Sequence, residues 1–219
     1  MLDASVHRAG RAGKITSGRC PNLSRVTTSD PVATRTFSEL VFSDLARYRP
    51  GEKPGWLRVL ARCVFLPGMI ASVILRAQQC LNRSGRVRLA TLLRTVSTVV
   101  LSADFGPGMT IGTGLMMPHP IGVNIGYGLR IGDNVTFAAG VTCAARYYDR
   151  TGPQDFATIC DGAIIGAHAV LVGGVRIGEN AMVGANSVVL SDVPDNAVVM
   201  GVPARRIGTR DEDSGPGTA

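Results

Sequence analysis

Residues Ile159 to Pro194 read ICDGAI IGAHAV LVGGVR IGENAM VGANSV VLSDVP. Set in blocks of six, the run begins each block with an aliphatic residue (Ile159, Ile165, Leu171, Ile177, Val183, Val189) and fills the fifth place mostly with a small or branched apolar one. That is an internal repeat of period six. The same frame returns upstream as FGPGMT, IGTGLM and MPHPIG from Phe105, and as IGDNVT and FAAGVT from Ile131. Six matches neither the 3.6 of an amphipathic helix nor the alternation of long strands. It matches a solenoid of short strands, in which each block is one flat side of a coil and Gly, Asn, Asp and Pro make the corners. The first position points inward and stacks on its counterpart about 4.8 Å away in the next coil. Each such burial contributes roughly 1.5 to 3 kcal/mol before the entropy of ordering the chain is subtracted.

The frame is broken twice. From Met117 up to the residue before Ile131 there are 14 residues where two blocks use 12, and this break contains Pro118-His119-Pro120. From Cys143 up to the residue before Ile159 there are 16, including ARYYDRTGPQDFAT, whose charged, aromatic and Gly-Pro content suits a loop thrown out of a coil. Loops leaving a rigid scaffold are where binding and chemistry concentrate.

Ahead of the solenoid the pattern is helical. SELVFSDLARY, with Ser38 as cap, is stopped by Pro50-Gly51; a second helix opens at Pro54 and is broken by Pro67-Gly68; further helices run from about Met69 to Asn82 and from Arg86 to about Ser102. The expected organisation is a basic, disordered tail over 1–37, a helical domain over 38–103, a solenoid over 104–208 and a flexible tail over 209–219. The chain of 219 residues carries a net charge of +7, divided as 16 Lys and Arg against 6 Asp and Glu in residues 1–104, and 7 against 10 in the remainder. A basic half can meet a polyanion or a membrane surface. Ahead of Phe37 the tail has no Phe, Tyr or Trp to stack on bases, which argues against nucleic acid. Helices over Trp56 to Leu75 are apolar on more than one face, as expected for burial against partner helices or another subunit, with peripheral membrane contact as the second reading. Five scattered cysteines without a C-x-x-C pair indicate neither a disulfide framework nor a zinc site, and a reducing cytoplasm is the simplest setting. Arg62 and Arg76 bracket the longest apolar run, too short for a membrane span.

The hexads, the long loop and the ending GVPARRIG (Gly201 to Gly208) resemble the left-handed β-helix acyltransferases; ADFGPGMTIGTGLMMPHPIG (Ala103 to Gly122) resembles their serine O-acetyltransferase branch, with exopolysaccharide acetyltransferases of the colanic acid type. The resemblance covers residues 38 to 208 and implies a left-handed parallel β-helix, a homotrimer and acetyl-CoA as co-substrate; nothing in the sequence suggests a metal. It implies that His119 is the general base that takes a proton from the acceptor hydroxyl, with Asp104, fifteen residues upstream, as its orienting carboxylate. A neutral imidazole serves as base near pH 7, and a carboxylate on its other nitrogen fixes the tautomer. Backbone amides near the thioester are the implied oxyanion donors. Coenzyme A contacts fall by position on Ala145, Gly166, Ala167, Gly184, Ala185 and Arg205, small residues allowing close approach of the pantetheine to the backbone.

Two departures bear on the acceptor. The Arg-His pair that recognises serine in that branch is replaced by Asp155-Phe156, and the R-D-P motif of the helical domain by Tyr48-Arg49-Pro50; Pro118 also stands for the Asp before the catalytic His. The expectation is an O-acetyltransferase acting on a sugar or small-molecule hydroxyl, with Tyr147, Tyr148 and Phe156 as acceptor-binding aromatics. The alternatives are a serine acetyltransferase with a diverged pocket and a non-catalytic trimeric scaffold.

Overall fold

The computed structural model describes residues 35–51, 53–126, 128–145 and 155–210. The N-terminal tail up to residue 34 and residues 211–219 therefore lie outside the described residues.

Four helices come first: α1 (Phe37–Tyr48), α2 (Trp56–Phe65), α3 (Pro67–Arg83) and α4 (Val87–Leu101). Helix α1 is capped by Thr36 instead of Ser38. Thr36 Oγ1 accepts from the Glu39 amide at 3.3 Å and Glu39 Oε2 from the Thr36 amide at 2.7 Å, so two otherwise orphaned donors are satisfied at once. Pro67 does not merely break α2; it opens α3 in the first turn, where its missing N–H is no loss.

Fourteen short strands follow: β1 (Asp104–Phe105), β2 (Thr110–Ile111), β3 (Asn124–Ile125), β4 (Arg130–Ile131), β5 (Thr136–Phe137), β6 (Thr142–Ala144), β7 (Thr158–Ile159), β8 (Ile164–Ile165), β9 (Val170–Val172), β10 (Arg176–Ile177), β11 (Met182–Val183), β12 (Val188–Val189), β13 (Ala197–Met200) and β14 (Arg205–Thr209). They form three sheets, ordered β1-β3-β6-β9-β12, β2-β4-β7-β10 and β5-β8-β11-β13-β14. All pairings are parallel except the terminal β13-β14 hairpin. Asn124 pairs with Thr142 and Ile164 with Met182, 18 residues apart, so one coil is three hexads. Asp104 pairs with Asn124, 20 apart, and Arg130 with Thr158, 28 apart. The two sequence breaks thus appear as register offsets of 20 and 28 where an unbroken coil has 18, with the pairing on either side kept. Phe105, Ile111, Ile131, Phe137, Ile159, Ile165, Leu171, Ile177, Val183 and Val189 are all buried in one continuous core.

The helices close the N-terminal end of that core, Ala71, Leu75 and Leu101 joining it. A buried ion pair fastens them. Arg76, fully buried, donates to Asp44 through Nε (2.9 Å) and Nη2 (2.8 Å), to the carbonyls of Gly112 (2.7 Å) and Ile111 (3.3 Å), and to Gln79 (3.0 Å). Asp44, also fully buried, accepts further from Ser72 Oγ (2.6 Å) and the Leu115 amide (2.8 Å). The two charges compensate each other, and their remaining sites reach backbone of the first coil.

Candidate active site

His119 lies in the turn between Met116, which bridges to Thr136, and β3. The turn is tied on every side. The Met117 amide donates to Tyr48 Oη at 3.0 Å, Gly122 N to Ser102 O at 2.9 Å, Val123 N to Pro120 O at 3.1 Å and Gly140 N to Ile121 O at 2.9 Å. Gly68 of α3 is needed here: a Cβ would sit 2.0 Å from the Met117 carbonyl oxygen and 2.5 Å from Tyr48 Oη. Burial, with a smaller contribution from the Asp44 charge, pushes the Tyr48 phenol up to about 12, so it stays protonated beside the turn. The His119 side chain itself is exposed, on a backbone that helices α1 and α3 hold in place.

From this turn a corner of the solenoid runs through every coil. Gly140 N donates to Ile121 O, His168 N to Ala139 O and Asn186 N to Ala167 O, stacking Ile121, Ala139, Ala167 and Ala185 in one column. Its residues adopt the left-handed conformation (Ser102, Gly122, Gly140, His168 and Asn186, φ between 51° and 73°). His168 is therefore a corner residue, and Gly140 makes room for its ring: a Cβ there would lie 2.2 Å from Nδ1.

Of the residues singled out for coenzyme A, Gly166, Ala167, Gly184 and Ala185 meet on this column, Ile165 and Val183 being in register just before them. A Cβ on Gly166 would come within 2.7 Å of the Ala185 amide, and Gly184 is covered by Met200, whose strand partner is Arg205. Arg205 is exposed at that end and donates to the Ala204 carbonyl at 3.0 Å. Ala145 does not join them: it follows β6 at the opposite edge of the same face, where the long loop departs.

Asp104, in β1, carries a partner that sequence reasoning missed. Its carboxylate takes a two-point contact from Arg94 of α4, Nε to Oδ1 at 2.5 Å and Nη2 to Oδ2 at 2.7 Å. Phe156 packs over Gly126 and Gly128, where a Cβ on Gly128 would meet the ring at 2.8 Å, so it seats the end of the loop on the coil. Tyr147 and Tyr148 lie outside the described residues. Among the described residues no group of three His, Cys, Asp or Glu gathers that could hold a metal ion.

The model of the bacterial transferase hexapeptide, six repeats, matches residues 156–191. The serine acetyltransferase of Mycobacterium tuberculosis is 36% identical over 163 residues, which cover 74% of this chain and 69% of that protein. Among solved structures, the serine acetyltransferase of Neisseria gonorrhoeae in complex with serine superposes with a TM-score of 0.68 at 32% identity, covering 78% of this chain and 69% of that one. The chain belongs to the serine acetyltransferase family.

Its solenoid is accordingly a left-handed parallel β-helix of hexapeptide repeats, and the column at His119 is one corner of that helix. The Brucella abortus serine acetyltransferase in complex with coenzyme A superposes with a TM-score of 0.69 at 28% identity, over 80% of this chain and 69% of that one. Serine acetyltransferase 4 of Arabidopsis thaliana is 37% identical over 159 residues, 73% of this chain. The chain spans 44% of the Arabidopsis protein and 54% of the Escherichia coli serine acetyltransferase.

Proposed function

We propose that this chain is an acetyl-CoA-dependent O-acetyltransferase with His119 as general base and L-serine as the first acceptor to test. The observation that carries the reading is the corner column. It sets the exposed imidazole, on a braced turn, at one end of a row of small residues, Ala139, Ala167 and Ala185, along which a pantetheine arm can lie against backbone. In this reading neutral His119 takes the proton of the acceptor hydroxyl, whose oxygen attacks the thioester carbonyl. The tetrahedral intermediate, its oxyanion received by backbone amides, expels the thiolate of coenzyme A, which the imidazolium reprotonates. Asp104 would orient the imidazole with the carboxylate lone pairs that Arg94 leaves unused. In this reading a neighbouring copy in a homotrimer completes the groove against this outward-facing column.

Serine stands first because the named relatives are serine acetyltransferases, one of them solved with serine. A sugar or other small hydroxyl compound is the second reading, favoured by Arg49, Asp155 and Phe156 where the family's serine-binding groups are expected. A pocket lacking those groups leaves the charges of a zwitterion unpaired.

The test is incubation with acetyl-CoA and a panel of acceptors, L-serine and sugars among them, following thiol release and product mass. Acceptor-dependent release is expected, and His119→Ala should lower kcat at least about 100-fold with the oligomer unchanged. A wild-type protein that neither binds nor consumes acetyl-CoA would be a scaffold; an unaffected His119→Ala would remove the base.

A further inference from the structure

Helix α2 turns most of its surface to solvent. Only Val59 is buried, while Leu57, Leu60, Val64 and Phe65 are 82%, 66%, 72% and 77% exposed. At 100° per residue these four fall on one stripe opposite Val59, with Arg58 and Arg62 along one margin. The helix is nevertheless fixed from behind. Trp56 stacks on Phe37 with ring centroids 5.5 Å apart and meets Phe42 at 5.3 Å, and Val59 packs with Val41, Leu45 and Met69. A held helix thus presents the stripe.

Charge indicates what covers it. From Lys53 to Ala103 the sequence has eight Lys and Arg and no Asp or Glu. Arg76 pairs with Asp44 and Arg94 with Asp104, both acids lying outside that segment. An apolar stripe set among cations of one sign complements an anionic lipid surface: Leu, Val and Phe enter the acyl boundary while guanidiniums meet headgroup phosphates. A second copy docking the same face on itself would set like charges together. We infer that α2 docks the protein on an anionic bilayer surface. This is independent of the acyl-transfer reading.

The experiment uses the full chain with vesicles of phosphatidylcholine alone or mixed with phosphatidylglycerol. Binding to the mixed vesicles should exceed that to phosphatidylcholine at least about tenfold and fall at high salt. Trp56, the single tryptophan, should blue-shift on binding. Leu60→Asp with Val64→Asp should abolish binding while leaving melting temperature and oligomer mass unchanged, both positions being exposed. Failure of the native chain to bind mixed vesicles overturns the inference. So does binding retained by the variant, which assigns the attraction to the basic N-terminal residues, or a fall in oligomer mass, which gives the stripe to a second copy.

Discussion

Replacing Asp44 by Ala tests how the helices are fastened to the solenoid. The carboxylate accepts four hydrogen bonds, from Arg76 Nε and Nη2, Ser72 Oγ and the Leu115 amide. Without it the fully buried guanidinium keeps only neutral acceptors, the carbonyls of Ile111 and Gly112 and the Gln79 amide oxygen, and the Leu115 amide is orphaned. Removing one partner of a buried pair costs about 3 to 5 kcal/mol, because the surviving charge is left in a low dielectric. For a chain of this size that is a fall in melting temperature of about 6 to 20 °C. Urea unfolding of Asp44→Ala, Arg76→Met and the double variant measures it. The double variant should be destabilised by at least about 2 kcal/mol less than the sum of the singles, since no unpaired charge remains. If Asp44→Ala costs less than about 1 kcal/mol, water reaches the pair and the described burial is wrong.

Two further perturbations address the turn and the column. Tyr48 is held near 12 in the fold against an ordinary value near 10, so above pH 10 the unfolded chain releases its proton first and stability falls as pH rises toward 12. Cys143, buried and pushed up to about 12, adds to the same alkaline limb. Tyr48→Phe should flatten that limb while costing about 1 kcal/mol near neutrality, from the acceptor lost to the Met117 amide; an unaltered limb by pH-dependent urea titration would count against the buried phenol. Gly166→Ala would place a Cβ 2.7 Å from the Ala185 amide and the Val183 carbonyl, both backbone, so adjoining coils must part. A loss of about 1 to 3 kcal/mol is expected, with KM for acetyl-CoA raised more than kcat is lowered; wild-type stability would contradict the tight stacking.

The repeat was readable because its information is local. Every sixth residue faces the core whatever its neighbours do, and the two breaks in the count reappear as register offsets of 20 and 28 between paired strands. The cap is legible too: T-F-S-E at Thr36 to Glu39 is a capping box, because Thr36, unlike Ser38, has a Glu three residues on. The polar partners were not readable. Asp44 sits 32 residues from Arg76, and Asp104 is matched to Arg94 only once α4 ends in the left-handed turn at Ser102. In the sequence Arg76 only interrupts an apolar run, because spacing does not say which charge a buried arginine will find.

The contacts that close the solenoid and those that hold His119 belong to one set. An open first coil would expose Phe105, Ile111 and Leu115, and a β-helix needs a cover at each end. Helices α1 and α3 supply it with Ala71, Leu75 and the Asp44–Arg76 network. The network ends on the backbone of Ile111, Gly112 and Leu115, and two residues further Tyr48 takes the Met117 amide. The His119 turn is thus attached to the cover at one side and to the corner column at the other. A substitution that loosens the cover should therefore lower turnover before the fold melts, since the turn is its nearest neighbour, whereas an equal loss in the last coils, around β12, should lower melting temperature with kcat retained.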